Sequence, residues 1–148
     1  MILHIPNVLS SEELLSCRKI LDNASWVDGK LSAGSQAVNA KSNLQLSTSS
    51  EELNYLRQIV TKALNRNPIF ISSSLPKHII SPFFNKYENG GSYGNHVDSA
   101  ILYDEVAERN FRTDVSASLF FTDPDEYEGG EMIVEDTYGL HEIKLPAG

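Results

Sequence analysis

The residues best suited to chemistry are a histidine and an aspartate two positions apart, His96 and Asp98, in the stretch Gly94-Asn95-His96-Val97-Asp98-Ser99-Ala100. On a strand, side chains at i and i+2 leave the same face, so an imidazole and a carboxylate would share one small volume while Val97 packs behind them. Two histidines and one carboxylate around open coordination positions suit non-haem Fe(II), and this pair would supply two of those three donors. Zinc accepts the same donor types. With four histidines in 148 residues, a chance H-x-D is expected about one time in five, so the neighbours must decide. They are an aromatic strand end at Tyr87, the turn Glu88-Asn89-Gly90-Gly91, Tyr93, and small residues that leave room for a ligand.

The elements that must position this pair fall into two regions. Ser10-Ser11-Glu12-Glu13 has the S-x-x-E form of a capping box, and Leu14, Cys17 and Leu21 follow at helical spacing, which predicts a helix over 11–23. Residues 26–48 are rich in Gly, Ser, Asn and Gln without a sustained period, and read as a long, functional type of loop with one short strand. Thr48-Ser49-Ser50-Glu51 repeats the capping box, and Leu53, Leu56, Val60, Ala63 and Leu64 mark one face of a second helix that stops near Asn67-Pro68. Beyond Pro68, β-branched and aromatic runs predict strands over 69–73, 78–81, 83–87, 93–98, 113–121, 132–135 and 141–145. Turns fall at 88–91, 123–125, 128–130 and 137–139. The expectation is one α+β domain over 1–148, with a helical support region at 1–67 and a β-rich core at 68–148. Ser116, Ser118 and Phe120 would share a face that reads as a pocket wall.

Bulk properties exclude some partners. A net charge of −8 and a pI near 4.9 do not make the basic patch that a nucleic acid or an anionic membrane requires. The N-terminus lacks a basic leader region, and no run reaches the roughly 18 apolar residues of a membrane span, so a cytoplasmic protein is the simplest expectation. Cys17, alone of its kind, can form no intrachain disulfide and should pack as a small buried thiol.

The ordered set Tyr87, Gly90, Tyr93, His96 and Asp98, followed by Ser116 to Phe121 and Glu128-Gly129-Gly130-Glu131, resembles the prolyl 4-hydroxylase-like Fe(II)- and 2-oxoglutarate-dependent oxygenases. HIPNVLS at the start, WVDGK at 26–30, the loop at 35–45, SLP at 74–76 and YGLHEIKLPAG at 138–148 narrow this to the bacterial PKHD-type hydroxylases. The resemblance implies helices packed on a double-stranded β-helix, or jelly roll, here incomplete. It further implies His96 and Asp98 as iron ligands, Tyr87 beside 2-oxoglutarate, and hydroxylation of a peptide or small molecule coupled to release of succinate and CO2. Ascorbate would serve as reductant, and a homodimer is left open.

The family pattern also needs a second histidine and a basic residue that pairs with the far carboxylate of 2-oxoglutarate, and the resemblance places both beyond Gly148. His4, His78 and His141 read as structural or surface histidines, Arg112 and Lys144 as solvated or locally paired cations, and Asp114 and Glu131 as strand-end charges. Asp123, Asp125, Glu126 and Glu128 read as a solvated acidic loop. Two other readings stay open: a non-catalytic remnant or binding module, and a zinc or manganese cupin-like protein.

Overall fold

A computed structural model describes residues 2–32, 41–47 and 50–148. Helix α1 spans Ser11–Leu21, and its start is the predicted capping box: the Ser10 hydroxyl accepts from the Glu13 N–H while Glu13 reaches back to the Ser10 N–H. The long loop carries more structure than its composition suggests. Strand β1 (Trp26–Asp28) leads into a 3-10 turn at Gly29–Ser32, and β2 (Lys41–Ser42) and β3 (Leu44–Leu46) follow, separated by Asn43. Positions 35–40 of that loop lie outside the described residues, as do Thr48 and Ser49 of the second capping signature. Helix α2 (Glu51–Arg66) is capped by Ser50, whose hydroxyl accepts from the Leu53 N–H.

The segment expected as a strand over 69–73 is instead helix α3, Pro68–Ser74. Asn67 caps it by accepting from the Phe70 N–H at 3.0 Å, and Pro68 occupies the first turn, where its missing N–H costs nothing. Cap chemistry at the helix start outweighs the strand propensity of Ile69-Phe70-Ile71.

The remaining strands are β4 (Asn85–Lys86), β5 (Ser92–Tyr93), β6 (Ile101–Asp104), β7 (Arg109–Arg112), β8 (Met132–Asp136) and β9 (Gly139–Ile143). All pairings are antiparallel, in the orders β1-β3-β4, β2-β5, β6-β7 and β8-β9. Mixed α+β architecture is therefore as expected. The predicted strands over 78–81 and 113–121 carry no ladder, and 93–98 contributes only its first residue. Alternation alone does not make a strand, because the ladder needs a second chain at the right distance. The β6–β7 hairpin, by contrast, was not anticipated. Its turn is organised by the Asp104 carboxylate, which accepts the Val106 and Ala107 N–H groups, and has neither Gly nor Pro to announce it.

The main core joins Cys17 and Leu21 of α1, Leu53, Leu56 and Val60 of α2, Leu46 of β3, and Phe84. Leu119 and Phe121 pack against its edge. A second cluster of Val8, Leu9 and Ala63 closes the other end. Gly148 joins the second cluster: its carbonyl accepts the Val8 and Leu9 N–H groups and its N–H donates to the Phe120 carbonyl. Helices and one sheet thus form a packed base, and most residues over 94–118 are exposed.

Candidate metal and ligand site

The polar wall of the site comes from the run 41–46. Within β3, alternation places Gln45 on the face opposite Leu44 and Leu46, and Leu46 enters the core, while Lys41 and Asn43 are themselves buried. Register sets Tyr93 opposite Lys41 and Asn85 opposite Gln45. Asn85 Oδ1 accepts from Asn43 Nδ2 at 3.0 Å and from Gln45 Nε2 at 2.7 Å, which ties the wall together. Asn43 Oδ1 is buried and has no hydrogen-bond partner among the described residues. Gly29 allows this packing, since a Cβ there would stand 2.0 Å from that oxygen.

Between β4 and β5 the chain reverses through Glu88-Asn89-Gly90-Gly91. Asn89 and Gly90 have φ of 53° and 78°, and the Gly91 N–H donates to the Glu88 carbonyl at 2.9 Å, a type I′ turn that Asn-Gly favours. The turn brings Tyr87 out at one end and Tyr93 at the other. Tyr87 is half exposed; burial of its ring end pushes its phenol up, and a hydrogen bond with Asn43 opposes that rise. Tyr93 stacks on His96 with ring centroids 3.7 Å apart and planes 19° off parallel.

His96 and Asp98 meet as the i, i+2 spacing predicts, although the segment bears no ladder. Nε2 of His96 stands 3.4 Å from Oδ1 of Asp98. The other ring nitrogen, Nδ1, lies 2.7 Å from the Gly94 carbonyl, which can only accept, so Nδ1 carries a proton. In the neutral ring this leaves the Nε2 lone pair free, 3.4 Å from a carboxylate oxygen. Two acceptors so placed call for a cation or a proton between them. Donors about 2.1 Å from one divalent ion at right angles stand about 3 Å apart, so the pair fits a metal chelate. A backbone carbonyl fixing the imidazole tautomer is also the usual support of a ligating histidine. Asp98 Oδ2 accepts from the Ser116 hydroxyl, which turns Oδ1 toward His96. The spacing of Ser116 predicts a place in a pocket wall; the structure gives it a direct contact with Asp98.

The remaining candidates sit elsewhere. His78 Nε2 is 2.9 Å from Asp104 Oδ2, and its ring stacks on Phe111 at 3.8 Å. His141 meets Asp136 at 3.3 Å within the β8–β9 hairpin, and His4 is exposed. Arg112 pairs with Asp114 at 2.8 Å, while Lys144 donates to the Tyr127 carbonyl and lies over that ring; Glu131 is exposed. The acidic loop is more than solvated: Glu126 takes both terminal nitrogens of Arg18 at 3.1 Å, and Asp123 accepts the Ala147 N–H. Among the described residues no cluster of three or more His, Cys, Asp or Glu side chains could hold a metal.

No family model matches the chain. Curated relatives do. A protein from Aliarcobacter butzleri is 67% identical over all 148 residues, one from Hyphomonas neptunium 52%, and one from Caulobacter sp. 47%; each is named a PKHD-type hydroxylase. The chain belongs to the PKHD-type hydroxylase family. It spans 66% of the length of the first two relatives and 65% of the third. The name is that of an enzyme class, and the PKHD-type chain described here places its imidazole, carboxylate and polar wall on one side of the packed base. No helix among its described residues is long and apolar enough to cross a membrane.

Proposed function

We propose that this chain is the larger part of an Fe(II)- and 2-oxoglutarate-dependent hydroxylase, with His96 and Asp98 as two iron ligands and Tyr87 as a cosubstrate contact. The observation that carries the reading is the closeness of His96 Nε2 and Asp98 Oδ1, 3.4 Å apart with Nδ1 already committed to the Gly94 carbonyl. The fold of the whole protein would be a double-stranded β-helix. The third ligand and the basic partner of 2-oxoglutarate would come from the third of the relatives' length that this chain does not span.

The reaction balances as substrate C–H plus O2 plus 2-oxoglutarate giving substrate C–OH, succinate and CO2. Bound ferrous iron supplies the redox chemistry that couples the decarboxylation to C–H oxidation. The protein's own part is positional. Gly94 holds the His96 tautomer, Ser116 turns the Asp98 carboxylate, and Tyr93 supports the imidazole plane. The substrate would be a peptide or a small molecule, ascorbate the reductant, and the cytoplasm the compartment.

A chain carrying the family's full length, given Fe(II), 2-oxoglutarate, ascorbate and air, should release succinate, and His96→Ala should reduce that release at least a hundredfold. Undiminished turnover in the variant would remove His96 from the site. The finding of only two clustered donors among the described residues favours a second reading, in which these 148 residues bind without turning over. Succinate release by the 148 residues alone would exclude that second reading. Metal analysis after anaerobic purification separates iron from zinc or manganese.

A further inference from the structure

Asp98 and Ser116 touch although they stand 18 positions apart and neither lies on a strand. Contacts between such distant positions carry a loop-closure cost that grows with the intervening chain. Most residues over 94–118 are exposed, so apolar packing contributes little to holding the two together. The intervening chain is the β6–β7 hairpin, whose ladder runs from Asp104↔Arg109 down to Ile101↔Arg112. Its far end is fixed to the packed base by the buried Asp104 carboxylate, 2.9 Å from His78 Nε2. Beyond the last ladder pair, Thr113 closes the near end twice. Its N–H donates to the Ala100 carbonyl at 3.0 Å, and its hydroxyl donates to the Ser99 carbonyl. Ser99 follows Asp98 directly and Ser116 lies three residues beyond Thr113, so both partners of the contact leave from this closure.

We propose that Thr113 is a positioning residue for the Asp98 carboxylate: its hydroxyl ties the segment that carries Asp98 to the segment that carries Ser116. The Ser116 hydroxyl then reaches Asp98 Oδ2, which leaves Oδ1 3.4 Å from His96 Nε2. A donor is required at Thr113, because the Ser99 carbonyl can only accept. Valine has threonine's shape without the donor, and serine keeps the donor without the methyl, so the two substitutions separate hydrogen bonding from packing. Ser116 acts on the carboxylate directly, and Thr113 acts through it. The inference rests on the proposed function for the metal, but not for the contact of Asp98 with Ser116, which is read in metal-free protein.

The readouts are anaerobic Fe(II) titration of the 148-residue protein and the carbon NMR signal of the Asp98 side-chain carboxyl in the metal-free form. Thr113→Val should weaken Fe(II) binding about tenfold, while Thr113→Ser stays within about twofold of the parent. Because Thr113 acts through Ser116, the double variant Thr113→Val with Ser116→Ala should bind Fe(II) within about twofold of Ser116→Ala alone. Asp104→Asn frees the far end of the hairpin and leaves the near end closed, so it should keep the parent's Fe(II) affinity even as it lowers stability. In metal-free protein, Thr113→Val should move the Asp98 carboxyl signal toward its place in Ser116→Ala, and Thr113→Ser should leave it as in the parent. An unmoved carboxyl signal in Thr113→Val overturns the proposal, as does an additive loss of Fe(II) affinity in the double variant. An equal loss in Asp104→Asn also overturns it, because the effect would then be one of hairpin stability in general. Failure of the parent to bind Fe(II), with the carboxyl response intact, would count against the iron reading and not against Thr113.

Discussion

At the scale of single residues, His96 and Asp98 are oriented by groups that do not themselves bind metal. The Gly94 carbonyl engages one imidazole nitrogen and the Ser116 hydroxyl one carboxylate oxygen, which leaves Nε2 and Oδ1 as the two free donors, 3.4 Å apart. Both side chains lie at the exposed end of the molecule, and Val97 between them is 95% exposed. Replacing either should therefore change stability by no more than about 0.5 kcal/mol, with thermal unfolding as the check. Ser116→Ala should weaken metal binding about tenfold by freeing the Asp98 carboxylate, read by metal titration. Gly29 makes a contrasting case. A methyl group there meets the Asn43 amide, so Gly29→Ala should cost about 2 kcal/mol in urea unfolding. The H-x-D pair was legible because period 2 survives in any extended backbone. Lys41 was not, because a lone lysine in a Ser- and Asn-rich stretch carries no periodic signal, and its burial depends on a partner strand some fifty positions later in the chain.

At the scale of elements, the sequence announced what local chemistry decides. The cap at Ser10 and the apolar stripe of α2 both lie where spacing put them. What it missed depends on side chains acting as backbone partners. Asn67 starts α3, and Asp104 builds the β6–β7 turn while also accepting from Ser81 and meeting His78. Burial opposes ionisation of Asp104, yet the hydrogen bonds from His78 and from the Ala107, Val106 and Ser81 N–H groups outweigh it and hold the carboxyl at about 2. Glu13, hydrogen-bonded first by Arg66 and then by the Ser10 N–H, is likewise held at about 2. Both values are depressed, from 3.8 and 4.5. Their stabilisation is therefore complete above the unfolded values and is lost as pH falls through the folded ones. Urea midpoints should fall steadily from about pH 4.5 toward pH 2, and Asp104→Asn should lower the unfolding free energy at pH 7 by about 2 kcal/mol, while flattening the acid slope. An unchanged slope would show that Asp104 is not bound in this way.

At the scale of the whole molecule, a compact base supports an open upper part. Leu56 and Cys17 are the largest fully buried side chains among the described residues, and burial lifts the Cys17 thiol to about 11. Leu56→Ala should then cost about 3 kcal/mol, whereas Cys17 should resist alkylation until the protein unfolds. Above the base, Val97, Ile101, Val115 and Leu140 stay exposed. Pairing in that part is local, β6 with β7 and β8 with β9, and of the two hairpins the second announces itself through Thr137-Tyr138-Gly139, whereas the first has no Gly or Pro in its turn. Belonging to the PKHD-type hydroxylases connects this arrangement with a family of enzymes, and the proposed chemistry depends on whether the facing imidazole and carboxylate hold iron. Anaerobic titration of Fe(II) into the parent protein and into His96→Ala and Asp98→Asn tests this most directly. The parent should bind one Fe(II) and each variant should bind it at least tenfold more weakly, with unfolding midpoints unchanged; equal Fe(II) affinity in all three proteins would show that the pair does not hold iron.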